Sequence, residues 1–153
     1  VEAAVLRALR PRGLLFLCVA NSSRSQMAEG IARAVAPPGV RVHSAGSNPS
    51  VVNPLAMQAM AEIGIDVSGH RSKAVAEVPA AEVDTVITLC AEEVCPVYLG
   101  NARRLHWGLA DPAAVEGADE RRLAAFRATR DELRRRIAAI LGDRVRGGEE
   151  GTC

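Results

Sequence analysis

Apolar and polar positions alternate along this chain in blocks that change period, and the blocks order themselves as strand, helix, strand, helix. Leu14 to Leu17 is a continuous apolar run short enough for a buried strand. A polar stretch follows. From Arg24 the apolar residues Met27, Ile31 and Val35 recur at helical spacing. Pro37-Pro38-Gly39 breaks the pattern. Val40 to Ala45 alternates as a second strand, with His43 on its solvent side and without assigned chemistry, and Ala45-Gly46 opens a loop. Asn53-Pro54 starts a second helix, with Asn as cap and Pro at the first position. Leu55, Met57, Ala59, Met60 and Ile63 continue it, and Gly64 is placed to end it. Ile65 to Lys73 is irregular. Val83 to Leu89 reads as a strand buried on both faces, hence parallel, and it delivers Cys90 at its end. Arg103 to Trp107 is a short further strand, and Gly108 to Pro112 a loop. From about Ala118 to Leu141 a long helix carries the stripe Leu123, Phe126, Leu133, Ile137 and Ile140, and Gly142 stops it. Such alternation predicts an α/β fold with a parallel sheet and helices on both faces. Residues 1–13 read as an N-terminal extension, 14–142 as a single catalytic domain and 143–153 as a polar, disordered tail.

Composition narrows the class. A chain of 153 residues is one domain with room for a core. No apolar run approaches the roughly 20 residues of a membrane-spanning helix. The first 13 residues lack the apolar centre and cleavage site of a signal peptide. A net charge of +1 gives no case for nucleic acid. Aromatics are only 3%, so the core must be built from aliphatic residues and Met. Arginine supplies 18 of the 19 basic residues, which makes Lys73, the single lysine, stand out. The four cysteines are too few and too irregular for a secreted disulfide scaffold; in a cytoplasmic protein they point to catalysis, redox or metal.

The candidate chemistry gathers where the first strand gives way to the first helix. Free amides converge at such a junction and the helix dipole favours an anion. Asn21 tolerates positive φ and would let the loop curl into an amide-lined nest. Cys18 ends the strand and Arg24 follows in the spacing Cys-x5-Arg. The amides and Arg24 favour the thiolate, and Arg24 can hold two oxygens of a tetrahedral anion. A thiolate beneath a bound oxyanion is a nucleophile aimed at its central atom. The competing reading is a buried core cysteine with a surface arginine. The preceding strand, the Asn and Ser inside the loop and Ser25 directly after Arg24 favour the nucleophile.

Cys18-x5-Arg24-Ser25 followed by Gln26-Met27-Ala28-Glu29-Gly30 resembles the low-molecular-weight protein tyrosine phosphatase superfamily, and more closely its thioredoxin-coupled arsenate reductases. The resemblance runs from about Leu14 to about Leu141. It implies four parallel strands, and an oxyanion held by the backbone of Val19, Ala20, Asn21, Ser22, Ser23 and Arg24 together with the Arg24 side chain. It also implies that Cys18 attacks arsenate, with phosphate or sulfate as mimics, and that Ser25 donates to the Cys18 sulfur. Through His106-Trp107-Gly108 and Asp111-Pro112 it makes Asp111 the general acid rather than a mere turn cap; Pro112 biases Asp111 to an extended backbone, and a bound anion would favour its protonated form.

The same resemblance implies a three-cysteine relay. Cys90 attacks Cys18 and releases arsenite, Cys95 attacks Cys90 and carries the disulfide outward, and thioredoxin reduces it. Four residues separate Cys90 from Cys95 here, a gap slightly shorter than the family's. A zinc site is a weak alternative, because Cys-x4-Cys lacks further ligands nearby. Ser23 stands where some relatives carry another cysteine and is expected to take no redox part; Cys153 is a bystander. Asn21, Ser25 and Glu29 match positions of the family's potassium site, while Lys73 replaces an acid. The expectation is therefore that the lysine ammonium pairs with Glu29 and supports the loop in place of the metal, with no cofactor. Two other activities compete: a tyrosine phosphatase with spare thiols, and a non-enzymatic arsenic or metal sensor, which would have no use for Arg24 or Asp111. The expected protein is a cytoplasmic monomer that takes arsenate and thioredoxin as partners and neither nucleic acid nor membrane.

Overall fold

The computed structural model describes residues 11–91 and 100–142. Its order is β1 (Gly13–Cys18), α1 (Arg24–Val35), β2 (Arg41–Gly46), α2 (Pro54–Ala61), β3 (Thr85–Cys90), β4 (Arg103–Leu109) and α3 (Asp119–Leu141). Short 3₁₀ helices at Val75–Glu77 and Ala80–Glu82 precede β3, and another at Pro112–Ala114 precedes α3. The four strands form one parallel sheet in the order β2-β1-β3-β4. The chain leaves β1 toward β2 and later returns to β1's other side as β3. The carboxyl edge of β1 is therefore a switch point, where open α/β sheets place their ligands. Cys18, Gly46, Cys90 and Leu109 are the last residues of the four strands and share that edge.

Both faces of the sheet are covered, which is why β1 and β3 read as unbroken apolar runs. Leu14 and Phe16 of β1, Ile87 and Leu89 of β3 and Trp107 of β4 face the three α-helices. There they pack with Met27, Ile31, Met60, Leu123, Phe126, Leu133 and Ile137. Each fully buried side chain of this kind contributes roughly 1.5–3 kcal/mol. Leu15, Leu17, Ala45 and Val86 face the other way, against Val78 and Val83 from the 3₁₀ segment. Helical structure thus lies on both faces, unequally divided among the described residues. Trp107 is fixed between the Phe16 ring, 6.4 Å away, and the Arg136 guanidinium, 5.7 Å from its centroid.

The elements begin and end where local chemistry directs. Asn53 Oδ1 accepts the Leu55 amide at 2.8 Å and Pro54 takes the first position of α2. Gly64 turns the chain away at φ +79°, and Gly142 ends α3 at φ +86°. β3 starts at Thr85 rather than Val83, because the Val83 amide closes the 3₁₀ turn onto Ala80 O at 3.2 Å. β4 runs two residues beyond Trp107. The end of the N-terminal extension is tied to the sheet: the Arg12 amide donates to Asp84 Oδ2 at 3.0 Å, and its carbonyl accepts from Arg41 at 2.9 Å. Two side chains also differ from expectation. His43 is not a solvent-facing bystander; its Nε2 lies 2.9 Å from Glu82 Oε1, and Arg41 shares that carboxylate. The α3 stripe also contains Arg130, buried because Nη1 donates to Ala59 O at 2.8 Å and to Glu62 Oε1 at 2.9 Å. Glu62, bonded to Arg127 and Arg130 against the opposing effect of burial, is held down to about 2. The expected tail, residues 143–153, and Cys95 lie outside the described residues, as does most of the proposed extension.

Candidate active site

The loop from Cys18 to Arg24 is pinned from outside. Val19 O accepts the Asn48 amide at 2.8 Å, and Ala20 O accepts the Ser50 amide at 3.1 Å and Ser72 Oγ at 2.9 Å. Asn21 O accepts Gln26 Nε2 at 3.2 Å, and Ser22 O accepts the Asn53 amide at 3.0 Å. A trans peptide points its N–H opposite to its C=O. Four carbonyls drawn outward therefore turn the amides of Ala20, Asn21, Ser22 and Ser23 inward, over the end of β1. The helix dipole of α1 begins at the same point. Amides converging at a helix N-terminus form an anion site by construction.

Asn21 holds this curl. It is the one described non-glycine residue at positive φ, +48°, and it is fully buried. Its side chain uses its whole hydrogen-bonding capacity. Nδ2 donates to Ser25 Oγ at 2.8 Å and to Ser44 Oγ at 3.0 Å. Oδ1 accepts the Lys73 amide at 2.7 Å and Gln26 Nε2 at 2.9 Å. Because Ser25 Oγ already accepts from Asn21, its own proton is available to the Cys18 sulfur 2.9 Å away. Against a Cys18 thiolate Ser25 is necessarily the donor in that contact, and a donated O–H supports charge on the sulfur. Cys18 is buried and carries a free thiol.

Arg24 is buried at the first position of α1. Nη1 donates to Leu109 O at 2.9 Å, and Nη2 lies 3.9 Å from Asp111 Oδ2. Asp111 does two things at once: Oδ1 accepts the Ala113 amide at 3.0 Å and caps the 3₁₀ turn, which leaves Oδ2 on the Arg24 side. The turn-cap and site readings of Asp111 are therefore compatible.

Behind the loop stands a charged cluster. Glu29 accepts Ser44 Oγ at 2.5 Å and Arg33 Nε at 2.8 Å, with Lys73 Nζ 3.6 Å away. Burial by itself would raise the Glu29 pKa, but the Ser44 hydroxyl and the charges of Lys73, His70 and Arg33 hold it below its ordinary value. Lys73 Nζ also donates to Arg71 O at 2.9 Å and reaches Ser44 Oγ at 3.4 Å. Gln26 Nε2 faces three oxygens, so its Oε1 is the acceptor for His70 Nδ1–H at 3.0 Å. His70 is pushed down by burial, opposed by Glu29 and assisted by Arg33 and Lys73.

The sequence reading missed Ser44, Gln26, His70 and Gly46 as parts of this site. A Cβ on Gly46 would stand 2.3 Å from Val19 O, so the loop rests directly on that glycine. Ser23 Oγ is buried with no hydrogen-bond partner among the described residues. Cys90 ends β3 beside β1, as expected, and it is buried. Strand alternation, however, sets Cys18 on the face of Leu14 and Phe16, and Cys90 on the opposite face with Val86. Cys90 is disulfide-bonded and Cys18 is not, so the bond does not join these two.

A profile of the low molecular weight phosphotyrosine protein phosphatases matches residues 13–148. The chain belongs to that family. Arsenate reductases are among the relatives it is similar to. An arsenate reductase of Halalkalibacterium halodurans is 46% identical over 126 residues, which cover 81% of this chain and 91% of the relative. A solved arsenate reductase in the phosphate binding state superposes with a TM-score of 0.69 at 33% identity, over 85% of this chain and 96% of that one. A thioredoxin-dependent arsenate reductase of Corynebacterium glutamicum gives 0.56 at 29% identity, over 88% of this chain and 66% of the other.

Proposed function

We propose that this member of the phosphatase family is an arsenate reductase regenerated by thioredoxin. Arsenate enters the nest of inward amides from Val19 to Arg24, and the Arg24 guanidinium neutralises its charge. The Cys18 sulfur, accepting from Ser25, attacks arsenic. Asp111 protonates the departing oxygen, which leaves as water. Cys90 then attacks the Cys18 sulfur: a sulfur–sulfur bond forms, the sulfur–arsenic bond breaks, and its electron pair reduces arsenic from the pentavalent to the trivalent state. Cys95 attacks Cys90, restoring the Cys18 thiol, and thioredoxin reduces the resulting disulfide.

The observation that carries this reading is the condition of the two described cysteines at the carboxyl edge. Cys18 is free while Cys90 is disulfide-bonded, the state a relay reaches after arsenite has left and before the external reductant arrives. A hydrolase that only forms and breaks a thiophosphate on Cys18 has no use for an oxidisable Cys90. The opposed faces of Cys18 and Cys90 require the end of β3 to rearrange during the exchange. The 46% identity to an arsenate reductase and the thioredoxin-dependent relative support the same substrate and reductant. Hydrolysis of aryl phosphates would be a weak side activity of the shared first step.

Lys73 takes the role of a resident cation, with Nζ between Glu29, Ser44 Oγ and Arg71 O supporting the reading. We further read the protein as a monomer, since Val51 is the large apolar side chain left exposed among the described residues. The compartment of this reading is the cytoplasm, where thioredoxin is reduced.

The test is NADPH oxidation on adding arsenate, with thioredoxin and thioredoxin reductase, for wild type and Cys95→Ser. Continuous oxidation in wild type that stops after about one equivalent in the variant is expected for a relay ending on a third thiol. Absence of oxidation in wild type, alongside steady aryl phosphate hydrolysis, would reassign the protein as a phosphatase.

A further inference from the structure

One polar side chain of the anion loop has no partner. Ser23 is 4% exposed, and its Oγ meets no hydrogen-bonding group among the described residues. Buried polar atoms are nearly always paired, and an exception calls for a ligand or a function to explain it. The position sharpens the question. Ser23 is the N-cap residue of α1, where a serine hydroxyl ordinarily accepts an amide two or three residues on. Here it caps nothing. A normal cap has extended backbone, whereas Ser23 sits at φ −123° and ψ −75° as the loop curls into the helix.

The same backbone sets where the side chain points. Ser23 O runs along α1 and accepts the Met27 amide at 2.9 Å. A ψ on the helical side of zero places Cβ away from the carbonyl oxygen, tilted toward the helix N-terminus, and the ψ of Ser23 does so. A trans peptide turns the Arg24 N–H opposite to Ser23 O. The Ser23 Cβ and the Arg24 amide therefore leave the helix end in one direction, into the nest. A single torsion, χ1, carries the hydroxyl from there. Neighbouring groups are already committed: Ser25 Oγ accepts from Asn21 Nδ2 and meets the Cys18 sulfur, and Ser22 O accepts the Asn53 amide.

We propose that the Ser23 hydroxyl is a further substrate-binding group: it donates to an oxygen of the tetrahedral anion held by the loop amides and Arg24. The inference deepens the reductase reading and rests on its anion nest. A hydrogen bond to a charged oxygen is roughly twice as strong as one between neutral groups. In the anion-free protein the buried hydroxyl is a cost to the fold, and the bound anion relieves it. One side chain thus trades stability of the free protein for affinity, as functional sites do. Serine carries no thiol, so the role is binding and not redox.

The experiment uses the full chain, reduced, with inorganic phosphate as the probe. Calorimetry gives the phosphate Kd of wild type, Ser23→Ala and Ser23→Cys, and urea unfolding is followed with and without phosphate. Loss of the hydroxyl should weaken phosphate binding about 10-fold. Ser23→Cys fills the same space with a weak donor and should fall with alanine. Without phosphate, Ser23→Ala should unfold at the wild-type urea midpoint or above it, because an unpaired buried group has been removed. With phosphate, its midpoint should rise less than that of wild type. A purely structural serine would instead cost stability in both conditions. The pH dependence of Cys18 alkylation should be the same in wild type and Ser23→Ala. Wild-type phosphate affinity in Ser23→Ala would overturn the assignment, and so would wild-type affinity in Ser23→Cys, which would show that volume and not the O–H sets binding. An upward move of the Cys18 titration with phosphate affinity unchanged would give the hydroxyl to the thiolate. Those outcomes reject Ser23 and leave the nest standing; a wild type that binds no phosphate rejects the nest and this proposal together.

Discussion

Replacing Gly46 by alanine tests how tightly the anion loop is seated. Gly46 ends β2 opposite Cys18 in the sheet register. Its added methyl would lie 2.3 Å from Val19 O, 2.8 Å from Asn21 N and 2.9 Å from Val19 C. Ordinary contacts between such atoms are about 3.5–4.0 Å, so the overlap is on the order of 1 Å. None of these atoms is the free end of a side chain. Val19 O is bonded to the Asn48 amide, and the Gly46 amide to Lys73 O at 2.9 Å. The methyl can be accommodated only by moving the loop off the strand end. A displacement of about 1 Å at reacting atoms costs on the order of 100-fold in rate, and overpacking of a dense interior costs about 1–3 kcal/mol. Gly46→Ala should therefore lose about 100-fold in kcat/KM for both arsenate reduction and aryl phosphate hydrolysis, because both depend on the same nest. Steady-state kinetics and urea unfolding of wild type and variant measure the two quantities. Full activity at wild-type stability would show that the loop is not seated on Gly46. A loss of stability with activity intact would show that its position does not set the chemistry.

Asn21→Ala strands the Ser25 and Ser44 hydroxyls, the Lys73 amide and the Gln26 amide, and places alanine at positive φ. At about 0.5–1.5 kcal/mol per bond and about 1–2 kcal/mol for the backbone, denaturant unfolding should show about 3–8 kcal/mol lost, with Asn21→Gly recovering the backbone share. Glu29 has a folded-state pKa below its unfolded one, so its contribution is present above the ordinary carboxylate range and is lost as pH falls through the folded value. Glu29→Gln should therefore flatten the acid limb of a stability–pH curve from urea midpoints; an unchanged limb would assign acid sensitivity elsewhere. On the proposal that Lys73 takes the cation position, arsenate reduction should proceed equally in potassium and sodium at matched ionic strength. Clear potassium activation would contradict that role.

The corrections share one origin. His43 looked like an ordinary outward strand residue because its partner, Glu82, is 39 positions away. Gln26 read as one more polar helix residue, yet it ties Asn21 to Arg71 and His70, segments brought in from the far side of β2. Arg130 falls on the apolar stripe by spacing, and only its charge would have excluded it from the buried face. It is accommodated because Ala59 and Glu62, at the end of another helix, supply its acceptors. Cys18 and Cys90 were correctly assigned to the ends of neighbouring strands, but being neighbours does not specify a face.

What the sequence determined by itself is what short-range physics controls. An apolar run, a polar loop with Asn21 at its turn, and a helix beginning at Arg24 specify a strand, a nest and a dipole within 20 residues. The Cys18–Arg24 spacing needs no distant segment to be meaningful. The caps at Asn53 and Gly64 and the stripe of α3 are equally local. Only the tertiary structure decided which remote groups close around that nest. Ser44, Gly46, Leu109, Asp111 and Lys73 arrive from the ends of β2 and β4 or the loops beside them, because the strand order β2-β1-β3-β4 brings those ends to one edge around β1. Hydrogen-bond satisfaction of a buried asparagine and the parity of side chains along β3 are properties of the assembled sheet. They depend on register between segments far apart in the chain, and no local pattern encodes that register.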